Sequence, residues 1–194
     1  LADAHFAVPQ TGVLEGLDTQ VAAAFEQAVL AIKQAGAQVS AIPLTEIAEL
    51  SAINASGGFT ALESWEWHQP LIAQRADGYD PREVSRIRRG EALGEADRQR
   101  LVEQRADWQT RVSSIVQQYD ALLMPTVPFI APRIADLEAD ADAYFRVNGA
   151  ALRNPSVINF LNGCAVSLPC AAQGQAPVGL MVAALPMQDD ALMS

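Results

Sequence analysis

The stretch that decides the fold runs from His5 to Ile42 and reads HFAVPQTGVLEGLDTQVAAAFEQAVLAIKQAGAQVSAI. It opens with a short apolar run, His5–Val8, closed by Pro9, with Gly12 and Gly16 as turn positions beyond it. Asp18 stands where a helix N-cap belongs, since its carboxylate can accept from the first free backbone N–H groups. From Thr19 to Ala35 the residues Val21, Phe25, Ala28, Ile32 and Ala35 recur at helical spacing, so one stripe packs inward. Gly36 stops this helix, and Gln38–Ile42 alternates like a strand before Pro43. Strand, helix and strand in succession make a βαβ unit, whose natural setting is a largely parallel sheet covered by helices.

Working outward, Thr45–Gln74 reads as helical, broken near Ser56-Gly57-Gly58. Asp80 can cap a short arginine-rich helix, Pro81–Arg89, with Pro81 in the first turn, where a missing N–H costs nothing. Gly90–Gly94 is a turn, and Glu95–Tyr119 is a long amphipathic helix with Leu101, Trp108, Val112 and Ile115 on one face. Glu95 and Asp97 suit its positive N-terminal end. This defines a helical insertion over about 45–119. Asp120–Met124 follows as a short apolar strand, and Pro125, Pro128 and Pro132 impose an extended, irregular path. Asp140–Leu152 reads as a helix, with a further turn or two from Pro155 to Leu161. Ala165–Leu168 and Val178–Ala184 read as two strands joined by the polar loop Ala172–Ala176, compatible with a hairpin. The expected class is α/β: a mixed, mostly parallel sheet covered by helices, with a helical insertion.

The chain of 194 residues carries a formal charge of −10, which argues against a nucleic-acid or anionic-membrane binder; neither partner is expected. No apolar run approaches a membrane span. Leu1 leads directly into a strand and Asp189–Ser194 reads as the opening of a helix, so the chain is expected to be a piece of a longer polypeptide. Cys164 and Cys170 would lie about 20 Å apart along an extended strand, beyond disulfide reach. With only His5 and His68 beside them there is no zinc spacing, and a reducing, cytoplasmic setting is expected. Neither a metal nor a cofactor is expected.

Most constellations of catalytic residues are missing. There is no G-x-S-x-G elbow, no phosphate-binding loop and no H-E-x-x-H. His5 and His68 read as packed or surface histidines rather than general bases. The chain holds one lysine, Lys33, against twelve arginines, and it lies toward the polar side of the helix capped by Asp18. Nothing local supplies the burial or the cationic neighbour that would make it a base.

Tyr119-Asp120-Ala121-Leu122-Leu123-Met124-Pro125-Thr126-Val127-Pro128 resembles the YD-x-LL-x-P-T-x-P run of the amidase signature family. Arg153, Asn159 and Asn162-Gly163-Cys164-Ala165-Val166-Ser167-Leu168-Pro169-Cys170, followed by Pro177-Val178-Gly179-Leu180-Met181, are similar to its later motifs. Glu63 and Arg86-Ile87-Arg88-Arg89-Gly90 agree in order. The sequence departs from the pattern at Asn162, in place of the usual glycine, at Cys164, in place of proline, and at Met181, in place of a frequent glutamine.

The resemblance implies that residues 1–194 are the C-terminal portion of a single amidase-signature domain. It implies hydrolysis of a carboxamide through an acyl-enzyme, with a serine nucleophile, a second serine as proton relay and a lysine base. All three would lie upstream, so no catalytic residue is assigned here and the isolated chain is expected to be inactive. What remains is pocket wall. Arg153 matches a position from which family members reach substrate; the competing reading pairs it with Asp142 or Asp136. Thr126, at the end of the 120–124 strand, is a second wall residue or a structural turn. Asn159 is a substrate contact or a tie between backbone segments. Arg86 corresponds to a substrate-side arginine of amidotransferase members, or joins Arg82, Arg88 and Arg89 in a solvated face. Trp65 and Trp67 read as core and inter-helix packing. The expected partners are a small amide substrate, the missing N-terminal half and further copies of the chain. Two other readings stand beside the hydrolase: the A subunit of a glutamine-dependent amidotransferase, and a non-catalytic binding or scaffold chain.

Overall fold

The computed structural model describes residues 2–193, so Leu1 and Ser194, the outermost residues of the expected first strand entry and last helix, lie outside the described residues. Strand β1 (His5–Pro9), helix α1 (Thr19–Gln34) and strand β2 (Gln38–Ile42) form the expected βαβ unit. The two strands pair in parallel from His5↔Gln38 to Pro9↔Ile42. Asp18 caps α1, its carboxylate accepting from the Gln20 N–H at 2.7 Å. The helix lays Val21, Ala24 and Phe25 inward, while Lys33 is exposed in its last turn.

The chain is then helical through α2 (Glu49–Ile53), α3 (Gly58–Arg75), α4 (Pro81–Ile87) and α5 (Glu95–Val116). Asp80 caps α4 as expected, accepting from the Arg82 N–H at 2.8 Å. Arg88 and Arg89 do not extend α4 but wind into a tighter 3₁₀ turn, Arg88–Ala92. Gly90 in that turn presses against α3, where a Cβ would stand 2.1 Å from the Ala61 carbonyl oxygen. Helix α5 stops at Val116, short of Tyr119, because the Tyr119 N–H closes on the Val116 carbonyl and the Asp120 N–H donates to His5 at 2.8 Å. That bond turns the chain into the sheet. Trp67 is 75% exposed rather than core. It sits about 200° around α3 from Trp65, so both cannot face inward. Trp65 is half-buried with the Arg88 guanidinium 5.9 Å from its ring centroid.

Strand β3 (Ala121–Pro125) follows, buried at all five residues, as a strand covered on both faces must be. A short helix α6 (Ile134–Ala139) occupies part of the stretch expected to be irregular. Helix α7 (Ala141–Leu161) then runs unbroken where two helical segments were expected, with Pro155 inside it. A proline removes one rung of the ladder, and here burial of Val157, Ile158, Phe160 and Leu161 anchors the turns beyond it. Strands β4 (Cys164–Pro169) and β5 (Gly179–Ala184) pair antiparallel from Cys164↔Ala184 to Pro169↔Gly179, and α8 (Asp189–Met193) ends the described chain.

The sheet order is β2-β1-β3-β5-β4. The β1–β2 and β1–β3 pairs are parallel, the β3–β5 and β4–β5 pairs antiparallel. On one face Val8, Phe25, Leu123 and Leu180 form a cluster with Phe6, Val39 and Val182 packed against it. The alternating residues Ala7, Leu122, Met124, Met181 and Ala183 are also buried, so the central strands are covered on both sides. Strand β4 is an edge and is far more open, with Leu168 46% exposed. Packing divides the molecule into two compact units: residues 1–47 with 109–194, which hold the sheet, and the all-helical Ala48–Trp108. No helix among the described residues is long and apolar enough to cross a membrane.

Candidate functional site

In open α/β sheets, ligands meet the protein beyond the carboxyl ends of the parallel strands. In this chain that end gathers the loop after β1, the exit of β3 at Pro125-Thr126, the end of β4 and the start of β5. The Thr126 N–H donates to the Gly179 carbonyl at 2.8 Å, which locks the β3 exit to the β5 start. The Thr126 Oγ1 then meets the Ser167 Oγ of β4 at 2.6 Å. Ser167 had no part in the sequence expectations as a site residue; what marks it is its register in β4, two residues from the strand end.

Arg153 lies in α7, half-buried. Its Nε donates to the Asn154 Oδ1 at 3.1 Å and one terminal nitrogen donates to the Val13 carbonyl at 3.3 Å. No carboxylate among the described residues is within ion-pair distance of it. The expected alternative, a pair with Asp142 or Asp136, is not formed. Asp140 instead takes the cap of α7, accepting from Asp142 and Ala143 N–H groups at 2.9 and 3.0 Å. Burial pulls the Arg153 guanidinium below its ordinary pKa, and the charge of Glu15 works in the opposite sense. It stays a cation at neutral pH. A partly desolvated cation held by carbonyl and amide oxygens has an unmet preference for an anion.

Asn154 is the residue the sequence reading missed. It is 0% exposed, and its Nδ2 donates to the Val13 carbonyl at 3.1 Å and the Pro125 carbonyl at 2.7 Å. The signal was present: Asn154 lies at helical spacing from Val157, Ile158 and Leu161, a polar residue on an apolar stripe. The stripe says that it is buried, but not which backbone it serves. Through this amide the structure brings Arg153 and the strand end carrying Thr126 together.

The other two expected residues stand differently. Asn159 is exposed on α7, and its carbonyl accepts from the Asn162 N–H at 3.2 Å. Arg86 belongs to the helical unit, where it forms a 3.2 Å ion pair with Glu83 one turn earlier on α4. Asn162 caps α7 at φ 62°, the left-handed region that asparagine tolerates best after glycine, which explains how it fills a glycine position. Both cysteines are free, and the Cys164 thiol donates to the Leu185 carbonyl at 3.5 Å. The His5 Nε2 lies 2.8 Å from the Ser40 Oγ, and the His68 Nδ1 lies 2.9 Å from the Tyr79 hydroxyl. Among the described residues no group of three His, Cys, Asp or Glu side chains is placed to hold a metal ion.

Comparison with known proteins agrees with this architecture. The chain is 31% identical over 189 residues to 2-amino-5-chloromuconic acid deaminase of Comamonas testosteroni, covering 96% of this chain and 40% of that protein. It is 26% identical over 218 residues to the A component of the glutamyl-tRNA(Gln) amidotransferase of Symbiobacterium thermophilum, covering 100% of this chain and 43% of that one. The chain thus spans about two fifths of the curated relatives it matches. The solved structure of Kluyveromyces lactis allophanate hydrolase superposes with a TM-score of 0.86 at 20% identity, over 98% of this chain and 31% of that one. The sheet order, the loops gathered at its carboxyl end and the motif residues placed there have one common source, since the family model for amidases matches residues 2–193: the chain belongs to the amidase family.

Proposed function

We propose that this chain is the substrate-side wall of a carboxamide hydrolase whose nucleophilic serine, relay serine and lysine base are carried by upstream polypeptide. In that reaction the serine oxygen attacks the amide carbon, the C–N bond breaks, and the nitrogen leaves with a proton. Water then cleaves the acyl ester, releasing the acid and restoring the hydroxyl. No residue of this chain is assigned a covalent role. Its one lysine, Lys33, is exposed in the last turn of α1 and has no place in the wall.

The observation that carries the reading is Arg153, a half-buried cation with no carboxylate partner among the described residues, at the end of the sheet where ligands sit. It suits an amide substrate that also bears a carboxylate, which a guanidinium can grip with two parallel hydrogen bonds. One relative is named for its action on a muconic acid, which supports the same choice. Thr126 contributes a hydroxyl to that wall. Asn159, exposed on α7, is offered to the remaining polypeptide, and Arg86, in the helical unit, is given no part in this wall. The exposed edge of β4 offers unpaired backbone groups onto which the rest of the sheet would pair, so the upstream half is the proposed partner.

The test measures ammonia or amine release by the full-length polypeptide and by residues 1–194 alone. The full-length protein should turn over amides, lose that activity when its serine nucleophile becomes alanine, and show a KM for a carboxylate-bearing amide at least about tenfold higher as Arg153→Ala. The isolated chain should show none. A full-length protein without amide turnover overturns the reading. The match to an amidotransferase component keeps a second use of the same wall in view, release of ammonia from glutamine for a partner enzyme. Glutaminase activity that rises on adding a co-purifying protein would select it.

A further inference from the structure

We infer that Asn154 is the positioning residue for Arg153: one fully buried amide ties the end of β3 to the loop that follows β1 and sets the direction of the guanidinium. The inference rests on the reading of Arg153 given above. Its geometry leaves the amide a single orientation. The Val13 and Pro125 carbonyls can only accept, so the nitrogen must face both of them, at 3.1 and 2.7 Å. The oxygen is then left for the one neighbour that can only donate, the Arg153 Nε at 3.1 Å. Every polar atom of a side chain that is 0% exposed is therefore used.

The consequence falls on Arg153. Its Nε is held by Asn154, and one terminal nitrogen is held by the same Val13 carbonyl that Asn154 grips. A guanidinium has five N–H groups, so three have no partner among the described residues and are left for a ligand, among them both on the other terminal nitrogen. The protein grips one side of the planar fork and leaves the other side for an anion. Because β1 and β3 are adjacent and parallel, the carbonyls that orient Asn154, Pro125 as the last residue of β3 and Val13 in the loop after β1, both lie at the carboxyl end of the sheet. The cation is thereby referenced to the strand ends rather than only to its own helix.

A residue that merely held the fold would affect every substrate alike. A positioning residue would affect only substrates that use the cation. The experiment therefore compares, in the full-length enzyme, kcat/KM for the mono-amide of a dicarboxylic acid with kcat/KM for a neutral amide of the same length. The ratio of the two does not depend on how much of the enzyme is folded. In Asn154→Ala the ratio should fall at least tenfold, mainly through KM for the acid, and Arg153→Ala should lower it by a similar factor. The double variant should fall no further than either alone. Asn154→Asp is the second variant for the case in which the alanine form does not fold; it keeps the oxygen but sets a carboxylate against the guanidinium, and the ratio should again fall. An unchanged ratio in the Asn154 variants, with a fall in Arg153→Ala, overturns this inference and leaves the Arg153 reading standing. An unchanged ratio in Arg153→Ala, with turnover intact, overturns both.

Discussion

Gly179 allows two hydroxyls to meet. A Cβ on it would lie 2.4 Å from the Ser167 Oγ and 2.7 Å from the Thr126 Oγ1, so the bare Cα lets them bond at 2.6 Å across β5. Gly179→Ala should break that bond and lower stability by about 1–2 kcal/mol, read from urea unfolding midpoints. In a background already carrying Thr126→Val and Ser167→Ala the same change should cost much less, because one overlap has gone with the serine hydroxyl. Cys170 gives a second check at this scale. Burial pushes its thiol above the ordinary value, and only the thiolate reacts, so in Cys164→Ser iodoacetamide should label it more slowly than a free thiol near pH 8. Residues whose role is local were legible in the sequence: Asp18 and Asp80 cap the helices that begin one residue later. Arg153 was legible as a motif position. The role of Asn154 was not, because its partners, Val13 and Pro125, are 141 and 29 residues away along the chain.

Secondary-structure elements show the same division between local and distant causes. The βαβ unit and the hairpin follow from periodicity and turn residues, and both are present. The errors came at prolines and at a close contact. Pro155 reads as a helix boundary on local rules, but burial on both sides of it carries α7 through. The end of α4 is set by the approach of Gly90 to Ala61 and Trp65 of α3, which no local pattern announces. Gly90→Ala should therefore destabilise the helical unit by about 1–3 kcal/mol, seen as faster amide exchange in α3 and α4. The α4 cap is also a pH probe. The Arg82 side chain, with the Arg82 N–H, lowers the Asp80 carboxyl from 3.8 to about 2. A carboxyl depressed on folding favours the cap at pH values above 3.8 and loses that contribution as pH falls through about 2. The Asp80 carboxyl resonance should titrate near 2, and Arg82→Ala should return it toward 3.8.

At the scale of the whole molecule the exposed β4 edge governs behaviour in solution. An edge with open backbone groups and a 46% exposed Leu168 is a template for pairing. Residues 1–194 alone should sediment as an oligomer or bind the upstream half when the two are co-expressed, and a monodisperse monomer would contradict this. The net charge of −10 disfavours indiscriminate aggregation and so favours discrete species over precipitate. The sheet order carries one more consequence. Strand β5, the last among the described residues, is the shared neighbour of β3 and β4, so neither acquires that partner until Gly179–Ala184 has emerged from the ribosome. Vectorial synthesis therefore leaves the buried centre of this sheet open between β3 and β4 until β5 has been made. A nascent chain stalled before Gly179 would hold a bare Leu123 flank and an orphaned β4, a form suited to capture by a chaperone.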